Sequence, residues 1–201
     1  MKKHNTVVGD KVLTGKARLS YPSLFKPDTG GQYSDDKYKA TFLLNKKESA
    51  AELKVLQSAV LKVAKEAFGV TTKLSEIAHP FRKGEEKADE NGDIPDGYDG
   101  VVYFTAKSKY RPDVVDQAVK PAEEAEVYGG CFVRASVYPY SYVAGKDKGV
   151  TFRLGNVQKM DDGEPFGSTG SKASEDFESV DTPNVEANEE EPFEDDDDDI
   201  L

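Results

Sequence analysis

The sequence predicts a mainly β protein: a small five-stranded barrel with one main α-helix, followed by a disordered acidic tail. Three observations predict it. Short alternations of apolar and polar residues recur through residues 1–160, separated by turns that carry Gly and Pro. Only residues 50–68 show helical spacing. Charge also divides along the chain. Residues 161–201 hold 17 acidic side chains and one lysine, a net of −16, whereas residues 1–160 hold 26 basic and 21 acidic, a net of +5.

The elements follow in order. Residues 11–21 read as a strand, with Val12, Thr14, Lys16, Arg18 and Ser20 on one face and Leu13, Ala17, Leu19 and Tyr21 on the other. Residues 22–31 read as a loop through Pro27, Asp28, Gly30 and Gly31. Residues 36–45 form a second strand, Tyr38, Ala40, Phe42 and Leu44 opposing Lys37, Lys39 and Thr41. Ser49 and Glu52 have the spacing of a capping box. Leu53, Leu56, Val60, Val63, Ala64 and Ala67 then line a helix that Gly69 closes. Residues 82–100 have no evident core face and read as a mobile loop. A third strand, 101–110, sets Val102, Phe104 and Ala106 against Tyr103, Thr105, Lys107 and Lys109. In a fourth, 131–143, Val133, Ala135 and Val137 alternate with Phe132, Arg134, Ser136, Tyr138, Tyr140 and Tyr142. A turn at 145–149 leads to a fifth, 150–159, with Val150, Phe152 and Leu154 inward and Thr151 and Arg153 outward.

Composition sets the domain plan. The arm is too poor in apolar residues to offset its ordering entropy. About 160 residues remain, which suits one domain over 1–160, with an extension to about 168 left open. The single Cys131 permits no intrachain disulfide, and neither a signal-peptide pattern nor an apolar run of membrane-span length is present, so a soluble intracellular chain is expected.

The outward faces carry the chemistry. Tyr103, Lys107 and Lys109 form one set; Arg134, Tyr138, Tyr140 and Tyr142 form another; Lys16 and Arg18 add a third, with Arg153 beside them if those strands pair. A solvated strand face also collects Tyr and Lys, because Tyr favours strands. Three such faces on a basic body point instead to a single-stranded nucleic acid, whose phosphates want cations and whose bases stack on rings. Lys107-Ser-Lys109-Tyr110-Arg111-Pro112 sets three cations around one ring and reads as a strand contact. Tyr21-Pro-Ser-Leu-Phe25-Lys26 reads equally as a stacking loop or, at Phe25, as a plug for the barrel end. The residues do not separate DNA from RNA.

The tail ends Phe193-Glu-Asp195-Asp196-Asp197-Asp198-Asp199-Ile200-Leu201. A purely solubilising segment needs no apolar tip, whereas an apolar tip behind a charge run suits a partner's basic groove with a hydrophobic pocket. No enzyme activity, cofactor or metal site is expected. His4, His79 and Cys131 are too few for a zinc site, no phosphate loop occurs, and Asp28-Thr29-Gly30 lacks the apolar flank and second copy of an aspartic-protease triplet. A protein–protein adaptor whose acidic tail mimics DNA is the rival reading. A homodimer formed by edge-strand pairing is left open.

Four motifs carry a resemblance. They are Gly15-Lys-Ala-Arg18-Leu-Ser-Tyr21-Pro-Ser-Leu-Phe25, Lys107-Ser-Lys-Tyr-Arg-Pro-Asp113, Gly130-Cys-Phe-Val-Arg-Ala135 and Gly149-Val-Thr-Phe-Arg-Leu-Gly-Asn-Val-Gln158. In this order, over about residues 8–168, the chain resembles a group of tailed-phage proteins first catalogued as a domain of unknown function. Its members look like single-stranded DNA-binding proteins with an OB fold. The tail resembles those of bacterial and phage proteins of that kind, with Ile-Leu where bacterial tails end in Pro-Phe. The resemblance implies an OB-fold barrel that binds single-stranded DNA without sequence preference in phage replication, recombination or repair. It further implies the cytoplasm of an infected bacterial host and replication or recombination proteins as partners of the tail.

Overall fold

The computed structural model describes residues 6–30 and 34–167. Its strands are β1 (Val12–Leu13), β2 (Ala17–Asp28), β3 (Lys37–Asn45), β4 (Arg82–Lys83), β5 (Val101–Ser108), β6 (Val114–Val115), β7 (Phe132–Ala144) and β8 (Asp147–Asp161), with helix α1 (Ala50–Phe68) between β3 and β4. The five long strands close on themselves. β2 pairs with β3, β3 with β5, β5 with β8, β8 with β7 and β7 with β2. All these pairings are antiparallel except β5–β8. The short strands extend the cycle: β1 on β7, β4 on β5, β6 on β8. This is the predicted barrel, with the predicted helix.

Alternation decides which side chains fill it. Leu19, Ala40, Phe42, Phe104, Val133, Val137 and Phe152 are all but fully buried. Phe42 lies opposite Phe104 in register, their ring centroids 5.3 Å apart, and Phe104 lies 4.9 Å from Phe152. Such offset and tilted pairs stabilise beyond the area they bury. Helix α1 packs Leu53, Leu56, Val60, Val63 and Ala64 onto the β7–β8 side. Gly69 ends it in the left-handed region, φ +117°, its N–H donating to the Lys65 carbonyl at 3.0 Å.

Several expectations need correcting. The Ser49–Glu52 capping box does not form, since Ser49 makes no side-chain cap bond. Asn45 instead stabilises the turn that leads into the helix: its Oδ1 accepts from the Lys47 and Glu48 amides at 2.9 and 3.2 Å. The loop expected at 22–31 is strand as far as Asp28, interrupted by register shifts on either side of Ser23. Tyr21, with φ 45°, sits in the first of them. Pro22 and Pro27, which offer no ladder donor, are tolerated where the ladder is already broken.

The 82–100 excursion does have a core face. Tyr98 is 2% exposed and shares a second apolar cluster with Leu43 and Val101, flanked by Ile94, Tyr103 and Phe166. Its hydroxyl lies 3.1 Å from Ser20 Oγ. The domain also runs past Met160. β8 ends at Asp161, opposite Phe132, and residues 162–167 fold back so that Phe166 packs in that cluster. The backbone at Glu164 comes so close to Gly130, φ +113°, that a side chain there would collide with it. This packing carries the described chain to Gly167, within the extension to about residue 168 that the sequence allowed. Phe193, Asp195, Asp196, Asp197, Asp198, Asp199, Ile200 and Leu201 lie outside the described residues.

Candidate nucleic-acid interface

The outer faces of β3, β5, β8 and β7 adjoin, and register aligns their side chains. Lys39 lies opposite Lys107, Lys107 beside Arg153, and Arg153 opposite Tyr138. This sets three cations and a ring in one rank across four strands. The next rank toward the β3 C-terminal end carries Thr41 opposite Thr105, their hydroxyls 2.8 Å apart, and Thr151 opposite Tyr140. A groove of about 680 Å³ runs over this surface. It is lined from β5 and its exit by Tyr103, Thr105, Lys107, Lys109 and Tyr110, from β7 and β8 by Tyr140, Tyr142, Thr151 and Arg153, and from neighbouring segments by Asp35, Lys37, His79 and Arg82.

Each cation is held in its own way. The Arg153 guanidinium stacks over the Tyr138 ring at 4.5 Å. Lys107 pairs with Asp35 at 3.0 Å, and Lys37 pairs with the same carboxylate oxygen at 3.2 Å. Lys39 pairs with Asp28, whose carboxyl that hydrogen bond holds below its ordinary value. Tyr110 and the cations Lys109 and Arg111 stand out into solvent, Tyr110 at 79% exposure. Burial, reinforced by the nearby Arg82 charge, pushes the His79 imidazole below its ordinary value, and its Nδ1 is buried without a hydrogen-bond partner. Burial likewise pushes the Tyr103 hydroxyl up.

The structure thus brings Tyr103, Lys107, Lys109, Tyr110, Tyr140 and Arg153 to one groove, with Tyr138 and Arg111 adjacent. It takes others elsewhere. β2 does not pair with β8, so Lys16 and Arg18 do not stand beside Arg153. Lys16 pairs with Asp161 and sits 4.6 Å from the centre of the Phe132 ring. Arg18 donates to the Gly130 and Glu164 carbonyls at 3.1 and 2.7 Å and stacks on Phe166 at 4.3 Å. Both fasten the C-terminal segment to the barrel. Arg134 donates to Gln158 at 2.7 Å and does not line the groove. Phe25 is half-buried against the main core, as a barrel plug would be. Tyr21 is 67% exposed at a separate hollow beside Tyr98 and Phe166.

Tyr142, already grouped with Tyr138 and Tyr140 on sequence, lines the groove too, and Lys37, Thr105 and Thr151 join it because the alternation that found their neighbours puts them in phase. Arg82 arrives because β4 pairs onto β5 opposite Tyr103, and no periodic signal announces a two-residue strand. Asp35 has no sequence signal at all. Among the described residues, no group of three or more His, Cys, Asp or Glu side chains is placed to hold a metal ion, and no helix is long and apolar enough to cross a membrane.

Comparison with known proteins agrees with this architecture. A family model described as the Enterobacter phage Enc34 ssDNA-binding protein matches residues 10–192. Protein p50 of Acyrthosiphon pisum secondary endosymbiont phage 1 is 30% identical over 175 residues, covering 85% of this chain and 94% of that protein. The solved single-stranded DNA-binding protein from bacteriophage Enc34 in complex with ssDNA is similar with a TM-score of 0.66 and 26% identity, over 78% of this chain and 89% of that one. A second structure of the bacteriophage Enc34 single-stranded DNA-binding protein gives a TM-score of 0.64 and 25% identity, over 84% of this chain and 90% of that one.

Proposed function

We propose that this chain, which belongs to the Enterobacter phage Enc34 single-stranded DNA-binding protein family, holds single-stranded DNA without sequence preference along the groove of β3, β5, β8 and β7. The observation that carries the reading is the aligned rank of Lys39, Lys107, Arg153 and Tyr138. Cations in register across strands track a phosphate chain and release its counterions. Rings beside them offer faces on which any base stacks, because every base has a π-face.

Geometry also argues for a single strand. Tyr138 and Tyr140 are two residues apart on one strand, hence about 6.6 Å apart along it. Duplex bases step by about 3.4 Å and are stacked on each other. Bases laid on both rings must therefore part from one another, which a flexible single strand allows at far less cost than a duplex. The threonine rank gives hydroxyl groups for phosphate or sugar contacts and nothing that reads one base against another.

The lining of the groove suits binding and not cleavage. A two-metal displacement needs carboxylates fixed around the reacting phosphate, and among the described residues Asp35 is the one carboxylate lining this groove, engaged by two lysines. The role that follows is a non-enzymatic one in phage DNA replication, recombination or repair, in the cytoplasm of the infected host. The segment Phe193–Leu201 would recruit replication or recombination proteins through its acidic run and apolar tip.

Fluorescence anisotropy tests the reading. Labelled oligo-dT and a matched duplex are titrated with full-length and 1–167 protein at low and moderate salt. Tight binding to oligo-dT, weaker binding to duplex and loss with salt are expected. Failure of both constructs to bind any strand would overturn the reading in favour of an adaptor.

A further inference from the structure

The groove contains an anion of its own. Asp35 stands two residues before the start of β3, and Asp36, at φ 52°, turns the chain so that the Asp35 carboxylate lies back over the sheet. One oxygen, Oδ2, takes both Lys37 and Lys107. The other, Oδ1, is buried and no hydrogen-bond donor among the described residues reaches it. Partial burial pushes this carboxyl up, yet the hydrogen bonds and charges of Lys107 and Lys37 together outweigh it and hold it below its ordinary value. It is therefore fully ionised at neutral pH.

A carboxylate shared by two ammonium groups is what a phosphate oxygen would be in the same place. We propose that Asp35 is a built-in competitor for the DNA backbone: it occupies Lys37 and Lys107 in the free protein and must yield them to a phosphate when the strand is bound. This rests on the groove being the strand-binding site. It assigns Asp35 the opposite role to its neighbours, since it lowers affinity and makes binding easier to reverse. Its structural duty is modest. Lys39 and Lys107 face each other in register, and like charges so placed repel, but Lys39 has Asp28 for a partner.

The size of the effect follows from counterion release. A single-strand contact changes the slope of log affinity against log salt by about 0.7, which near 0.1 M salt is about a fivefold gain in affinity per phosphate. Freeing one or two lysines predicts that Asp35→Asn binds oligo-dT about 5- to 25-fold more tightly, with a slope steeper by about 0.7–1.4. Adding Lys107→Gln to Asp35→Asn should remove most of that gain.

The test is a salt series of anisotropy titrations with labelled oligo-dT for wild type, Asp35→Asn, Asp35→Ser and Asp35→Asn/Lys107→Gln, with melting curves on each. Tighter binding and a steeper slope in both single variants are expected; the slope is the readout a merely structural role would not move. Wild-type binding with unchanged or weaker affinity and an unchanged slope in folded Asp35 variants overturns this inference and leaves the groove intact. No wild-type binding at all overturns the groove reading and this inference with it.

Discussion

Replacing Tyr138 and Tyr140 together by alanine attacks the stacking surface and leaves every cation in place. Each base on a ring contributes about 1–3 kcal/mol, so two rings contribute about 2–6 kcal/mol. Part of this is already spent in the free protein. Arg153 lies over the Tyr138 ring at 4.5 Å, an exposed cation–π contact of about 0.5–1 kcal/mol that an incoming base must share or displace. The net loss is then about 1–5 kcal/mol, or about fivefold to a few thousandfold in affinity. Because neither ring is charged, the salt slope should hold while affinity falls. Both rings stand on the outer face of β7 and are only half-buried, so the fold should survive. The assay is anisotropy with labelled oligo-dT across a salt series, with melting curves as control. Binding within twofold of wild type by a folded double variant would refute the stacking argument.

Three further outcomes are expected. Arg153→Gln should flatten the salt slope by about 0.7, whereas Lys16→Gln should leave it unchanged, since Lys16 pairs with Asp161 away from the groove; equal effects on the slope would contradict the division of cations drawn above. Protein ending at residue 160 should melt below protein ending at 167, because it loses Phe166, whose partial burial stabilises by about 1–3 kcal/mol; identical melting would remove Phe166 from the core. His79 has a depressed pKa in the fold, so its contribution is present above the unfolded value near 6.5 and is lost as pH falls through the folded one. Urea unfolding should show wild type losing stability between pH 7.5 and 5.5, a window above the carboxylate range, and His79→Gln losing less; parallel losses would reassign the effect.

Most of the barrel was legible because its strands are half-buried or core-lining with a strict period of two. In β7, Val133, Ala135 and Val137 are buried while Phe132, Arg134 and Tyr138 are not, as the alternation alone requires. The same period found the cations and rings of the groove, since outer faces are what remains once inner faces are assigned. It failed where burial depends on distant chain. Leu43 reads as an outward residue of β3 until Tyr98 and Phe166 arrive to cover it. Tyr98 looks solvent-bound amid Asp and Gly, and Phe166 looks lost in an acidic arm, yet each needs only one apolar surface to dock on. Arg18 has the chemistry of a strand contact, and only the position of Gly130 and Glu164 reveals that its donors are taken. Charge identity is local; charge availability is not.

The closing of the barrel by β8 bears on when this protein becomes competent. Strand β8 contributes Thr151 and Arg153 to the groove and is the element that joins β5 to β7. Its parallel pairing with β5 links Ala106 to Phe152 across more than forty residues of chain, the kind of distant contact that forms slowly and late. A ribosome delivering this chain N-terminus first would have exposed β2, β3 and α1 long before the groove exists. A strand held in the proposed groove therefore requires that synthesis has passed β8, and a nascent chain shorter than that lacks the face altogether.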